Sequence, residues 1–253
     1  MNPIVKVIGY TKFIGVPDEL FDEKLESKNQ DKGSDLARLI ECAGRTCYDS
    51  YGVGRPSSEY HEHIKVVGHG SVSEHAVINF YLDNISRGCT HELVRHRSGC
   101  AISQRSTRYV DESGSEWALH PLIHYIADEL GEEINKVIDS NKFIYDKIVQ
   151  SLQDILIQKG VDKFTARKQA RGAARGMLGN ALSTSLVWSA NIRALRNCIE
   201  QRASPHADAE IRVLFNKIYE ESVKICPEYF DDYEKVECPD GIGYGLITKF
   251  RKI

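Results

Sequence analysis

The chain has 253 residues, 42% hydrophobic and 27% charged, an ordinary globular composition and enough length to bury a core. Its formal net charge of −3 comes without long single-sign blocks, which argues against nucleic acid or a membrane surface as the main partner, so any basic site is local. The seven cysteines (Cys42, Cys47, Cys89, Cys100, Cys198, Cys226, Cys238) are odd in number, include no C-x-x-C pair and lack disulfide-framework or zinc-site spacing. They are expected to be reduced thiols, with no metal bound.

The N-terminus, MNPIVKVIGYTKF, has no basic region leading into an apolar stretch, and no window approaches the roughly 18 apolar residues of a membrane span. A soluble, cytoplasmic protein is expected. Residues 4–13 are rich in Val, Ile, Tyr and Phe and predict a strand ended by Gly15 and Pro17. Ser34 is placed to cap a helix over DLARLIECAGRTCY, where Leu36, Leu39, Ile40 and Ala43 recur at helical steps on one buried face. After the break YGVGRPSS, Ser58 through Val67 predicts a second short helix. On it His61 and His63 are two apart, face different sides and read as surface residues rather than ligands.

GHGSVSEH then forms a polar turn into the β-prone run AVINFYL. Residues 88–97 predict a helix and RSTRYV an extended segment. The second half predicts helices over 132–159, 162–178, about 189–202 and 207–225, with residues 110–131 mixed and the tail after Cys238 irregular. No linker or internal repeat interrupts it. The fold class is therefore α+β, a single mixed domain over 1–253 with an antiparallel or mixed sheet and long helices.

Chemistry concentrates in RHRSGCAISQRSTRY, which gathers Arg95, His96, Arg97, Arg105 and Arg108 with Ser98, Ser103 and Ser106. Guanidinium forks match phosphate oxygens, and hydroxyls and loop N–H groups supply further donors, so this composition suits a phosphorylated ligand. By composition alone a solvated basic loop fits equally well. Arg175 in ARGML, and Asn191, Arg193, Asn197 and Arg202 in the following helix, are further candidates. Their bland reading is the wet face of that helix.

Taken in order, these segments resemble the flavin-dependent thymidylate synthases. The family signature, R-H-R, a spacer, then Ser and x-R-Y, stands here as Arg95, His96, Arg97 and Ser106, Thr107, Arg108, Tyr109. Upstream, Gly68, His69, Ser71, Glu74 and His75 resemble its G-H-x-[ST]-x-x-E-H segment; downstream ARGML, NIR, Asn197 and Arg202-to-His206 follow in family order. The eight-residue spacer before Ser106 is one residue longer than the common pattern, and Gly179 stands where proline is usual.

The resemblance implies FAD, held by Ser71, Arg95, His96, Arg97, Gln104, Asn191, Arg193 and Asn197, with no Rossmann glycine motif involved. It implies dUMP on Glu92, Arg95, Gln104, Arg105, Ser106, Arg108, Arg175 and Arg202, and His69 near flavin and folate. The implied reaction is reductive methylation of dUMP to dTMP by 5,10-methylenetetrahydrofolate and NADPH. Arg202 would be the catalytic residue, stabilising the anionic pyrimidine that is nucleophilic at C5, in place of a cysteine nucleophile. The family also implies a homotetramer, which would explain how distant anchors converge. Two alternatives stay open: a related C5-methylase acting on another uracil nucleotide such as UMP, and an RNA-binding module. Against the second, the chain lacks a broad basic face and an aromatic platform.

Overall fold

A computed structural model describes residues 2–15, 33–51 and 54–250; Pro17, expected to end the first strand, lies outside them. In chain order the elements are β1 (Ile4–Tyr10), α1 (Asp35–Tyr48), α2 (Ser57–Val67), β2 (Val77–Ser86), α3 (Arg87–Leu93), β3 (Cys100–Gln104), α4 (Ala127–Gln158), α5 (Lys163–Ala174), β4 (Ser183–Asn191), α6 (Ile192–Arg202), α7 (Ala209–Ile225), β5 (Glu234–Val236) and β6 (Gly245–Ile247). The α+β class is as expected. β1, β2, β4 and β3 form one sheet in that order. Asn191 N donates to Gly99 O and Arg105 N to Ser185 O, so β3 and β4 run antiparallel. No described helix is long and apolar enough to cross a membrane.

The chain divides into two compact units. One comprises residues 1–4, 83–92 and 103–186; the other comprises 5–82, 93–102 and 187–253. β2, β3 and β4 each contribute residues to both. In the first unit the 32-residue α4 packs along α5, whose Ala166, Ala170 and Ala174 are fully buried. Alanine at those four-residue steps lets two helix backbones approach closely.

In the second unit the core is aromatic. Trp188 of β4 stacks on Phe80 of β2 with ring centroids 5.8 Å apart and meets Phe215 of α7 edge-on at 5.7 Å. α1 begins where the sequence predicts: Ser34 Oγ accepts from Ala37 N at 3.2 Å, and Leu36, Ala37 and Ile40 are fully buried.

Several expectations are corrected. The helix expected from about residue 189 begins at Ile192, because STSLVWSAN is β4, with Leu186, Trp188 and Ala190 buried on alternate positions. The extended segment is CAISQ rather than RSTRYV; after Arg105 the chain turns, with Tyr109 N and Val110 N both donating to Ser106 O. The helix expected over 88–97 runs Arg87–Leu93, and α5 gives way to a 3-10 turn at Arg175–Met177. In the tail, β6 pairs antiparallel with β5. His61, read as a surface residue, is 4% exposed and lies 3.2 Å from the Tyr229 hydroxyl, because α2 turns that side toward the core.

Candidate active site

The residues predicted from sequence fall into two groups, one in each unit. In the first unit the segment after β3 is tightly tied. Gln104 Nε2 donates to Thr90 Oγ1 at 3.0 Å and to Thr184 Oγ1 at 3.5 Å. Arg105 Nη2 reaches Glu112 Oε2 at 2.8 Å, and the Ser115 hydroxyl and Ser183 carbonyl each at 3.1 Å. Ser106 Oγ accepts from Arg108 N at 3.3 Å, fixing the turn from within. Arg171 of α5 clamps its far side through Tyr109 O at 2.7 Å and Asp111 at 2.6 Å.

Charge in this group is unbalanced. Burial lowers the pKa of the Arg87 guanidinium, Glu112 works against that, and Arg175 and Arg105 lower it further. Arg87 thus feels two further guanidinium groups and one carboxylate, a local surplus of positive charge that suits a phosphate monoester dianion. Arg87 also donates to Arg105 O at 3.3 Å, while Arg105 Nε is buried without a hydrogen-bond partner. Glu92 lies half-buried on α3 in the same unit, and the Arg108 stem passes over Gly172.

In the second unit the Arg95–His96–Arg97 loop is rooted at both ends. His96 N donates to Leu93 O at 3.1 Å and Cys100 N to Arg97 O at 3.1 Å. Gly99, at φ +70°, lies so close to α6 that a Cβ there would sit 2.6 Å from Asn191 Nδ2 and 2.9 Å from Ala194 Cβ. Asn191 ties loop to helix: its N–H goes to Gly99 O, and its Oδ1 caps α6 by accepting from Ala194 N at 2.8 Å. At the far end of α6, Arg202 Nε donates to His96 Nε2 at 2.9 Å.

Arg193 and Asn197, one turn apart on α6, are both exposed; Arg193 pairs with Glu74 and Asn197 accepts from Gln201. Arg95 and Arg97 are exposed, with no ion pair among the described residues, and Ser71 is exposed on the 3-10 turn Gly70–His75. Exposed guanidinium, amide and hydroxyl donors beside a capped helix N-terminus, with Glu74 as counter-charge, are a donor set that fits the diphosphate of FAD.

Beside this lies a cavity of about 350 Å³ lined by Arg45, Tyr48, Arg55, Tyr60, His63 and His69, among others. His69 and Tyr48 lie nearly parallel, 18° between planes with centroids 6.4 Å apart. Arg45 holds the floor through the carbonyls of Ser50 and Arg55.

The Cys100 and Cys198 thiols share a hydrogen bond, which lowers the Cys100 pKa, while the same hydrogen bond and burial raise that of Cys198. All seven cysteines are free. Among the described residues no cluster of histidine, cysteine and carboxylate groups could hold a metal.

The sequence does not single out Arg87, Glu112, Arg171 or Tyr48. Of these only Arg171 carries a signal, standing four residues before Arg175, one turn along the helix expected over 162–178.

Comparison with known proteins bears on both groups at once. The family described as "Thymidylate synthase complementing protein" matches residues 30–228. A flavin-dependent thymidylate synthase from Mycolicibacterium gilvum (strain PYR-GCK) is 39% identical over 241 residues, 94% of this chain and 92% of that protein. One from Mycolicibacterium vanbaalenii is 40% identical over the same coverage, and one from Mycobacterium bovis (strain BCG / Pasteur 1173P2) is 38% identical over 244 residues, again 94% and 92% of the two chains. By the extent of these matches, which span both groups of residues, the chain belongs to the thymidylate synthase complementing protein family, that of the flavin-dependent thymidylate synthases.

Proposed function

We propose that the whole chain, 1–253, works as one flavin-dependent thymidylate synthase domain. It converts dUMP, 5,10-methylenetetrahydrofolate and NADPH with a proton into dTMP, tetrahydrofolate and NADP⁺. The observation that carries the substrate reading is the influence of Arg105, Arg175 and Glu112 on Arg87, a cluster whose surplus positive charge suits a nucleotide 5′-phosphate. Relatives named flavin-dependent thymidylate synthase support the rest.

In this reading Arg105, Arg108 and Arg175 take the phosphate, with Ser106 donating from the turn and Gln104 lining the site from the end of β3. Glu92, Arg95 and Arg202 meet the rest of the nucleotide. Arg202 stabilises the negative charge that the pyrimidine carries when C5 becomes nucleophilic, a charge-stabilising rather than covalent role. Ser71, Arg95, Arg97, Arg193 and Asn197 hold the flavin's diphosphate and adenosine portions, while Gln104, Asn191 and the His96 loop backbone line it. FAD supplies the hydride chemistry when bound. His69 and Tyr48 offer an aromatic shelf for folate. A homotetramer lets the two groups be contributed by different copies of the chain, and a cytoplasmic location agrees with seven free thiols.

The test is an absorbance spectrum of the purified protein, then release of tritium from C5-labelled dUMP with NADPH and methylenetetrahydrofolate, with labelled UMP in parallel. Flavin bands and release from dUMP alone support the assignment. Release chiefly from UMP moves the substrate to ribonucleotides. Absence of both flavin binding and release, with FAD added, overturns it.

A further inference from the structure

We infer that His96 is a positioning residue for Arg202: its imidazole, through Nε2, takes the Nε–H of Arg202 and fixes the plane of the guanidinium that activates the pyrimidine. The inference rests on the assignment of Arg202 as activator and goes beyond the flavin role that the R-H-R motif implies for His96.

The hydrogen bond defines the protonation state. Arginine Nε carries a hydrogen at every accessible pH and offers no lone pair, so at 2.9 Å the acceptor must be His96 Nε2. The ring proton therefore sits on Nδ1 and the imidazole is neutral. Burial first, and the Arg202 charge second, hold the His96 pKa below the usual histidine range, which keeps this form in place at neutral pH. The charge that acts on the ring is that of Arg202, from the last turn of α6.

Both partners are anchored. The His96 main chain hangs from Leu93, which is fully buried, and its loop is pinned to α6 through Gly99 and Asn191. Arg202 precedes fully buried Ala203, whose N–H goes to Ile199 O and whose carbonyl accepts from Leu246 N at 2.7 Å. An arginine on a helix end swings about several single bonds. Holding Nε fixes the plane in which both Nη groups lie, and so the direction in which they can donate. Oxyanion stabilisation depends on donors already aimed at where charge develops, so the orienting bond acts on the chemical step.

The test compares the FAD-loaded wild type with His96→Leu, which keeps bulk but accepts nothing, and His96→Gln, whose carbonyl can accept from Arg202 Nε. Flavin content, the dUMP KM and kcat for tritium release are measured on each. The expected result is a Leu variant that retains flavin and a dUMP KM within about twofold, with kcat down about 100-fold, and a Gln variant that recovers most of the loss.

A kcat unchanged in the Leu variant, a loss confined to flavin content or KM, or a Gln variant no better than Leu would each overturn the positioning role. ¹⁵N spectra of histidine-labelled protein, assigned by difference against His96→Gln, provide a readout independent of turnover. A neutral ring protonated on Nδ1 supports the bond; a ring protonated on Nε2 or on both nitrogens overturns it. Wild-type protein inactive on dUMP but with the Nδ1–H ring present would count against the proposed function and not against this pairing.

Discussion

Arg105 donates to a carboxylate, that of Glu112, which is only 1% exposed, and the same nitrogen also binds the Ser183 carbonyl of β4. The Arg105 side chain is about a third exposed, so the residue that holds this buried carboxylate also reaches the surface. Removing it strands a buried charge. Arg105→Ala is expected to cost about 3 kcal/mol of stability, because breaking a buried pair leaves the partner uncompensated. The check is a double-mutant cycle by denaturant unfolding with Glu112→Gln. The double variant should be clearly more stable than the summed single losses predict, and simple additivity would show that the two groups do not depend on each other.

Arg87 gives a second test of nucleotide recognition, since it stands in the same cationic cluster as Arg105 and Arg175. Arg87→Ala is expected to raise the dUMP KM about tenfold, leave flavin content unchanged and weaken competitive inhibition by inorganic phosphate in parallel. A KM shift without a matching change in phosphate inhibition would place Arg87 away from the phosphate.

How much of this was legible in the sequence depends on whether the signal was local. Of the expected α1 face, Leu36 and Ile40 are buried while Leu39 and Ala43 are only half-buried; the Ser34 cap is written in adjacent residues and appears in the structure as predicted. β4 is not, because Ser, Thr, Ala and Asn interrupt its apolar residues, and alternation shows as a strand only when β2 and β3 are there to pair with it. The site divides in the same way. Arg95, His96 and Arg97 stand out as a cluster, but nothing in spacing reveals that His96 faces Arg202, more than 100 residues away. Arg87 was equally silent: a lone arginine at a strand–helix junction, significant only because the fold brings Arg105, Arg175 and Glu112 to it.

Buried His61 predicts acid sensitivity. Burial dominates and lowers its pKa, against the opposing pull of Glu41 and Glu228. The unfolded chain takes up a proton on this residue near pH 6.5, the folded chain only at lower pH. Between those values the unfolded state binds more protons, so the contribution is complete above about pH 6.5 and is lost as pH falls through the window down to the folded value. Melting temperatures of wild type and His61→Gln from pH 8 to pH 5 should show the steeper decline in wild type. His96, shifted in the same direction, keeps the variant's slope from vanishing. Parallel curves would mean that His61 does not contribute to the acid limb.

Gly99 tests whether the R-H-R loop and α6 act as one piece. Its φ of +70° disfavours any side chain, and the methyl of Gly99→Ala would press into Asn191 and Ala194, neither of which can yield without loosening the α6 cap. The expected outcome is a folded protein, only modestly lowered in melting temperature, that has lost most of its flavin, because the loop carrying Arg95 and Arg97 lifts from the helix carrying Arg193 and Asn197. Flavin content by absorbance, alongside circular dichroism of the same sample, separates this from global unfolding. If the variant keeps a full complement of flavin, close docking of the loop on α6 is not what organises the cofactor's donors. Their arrangement would then depend on α6 and the Gly70–His75 turn alone.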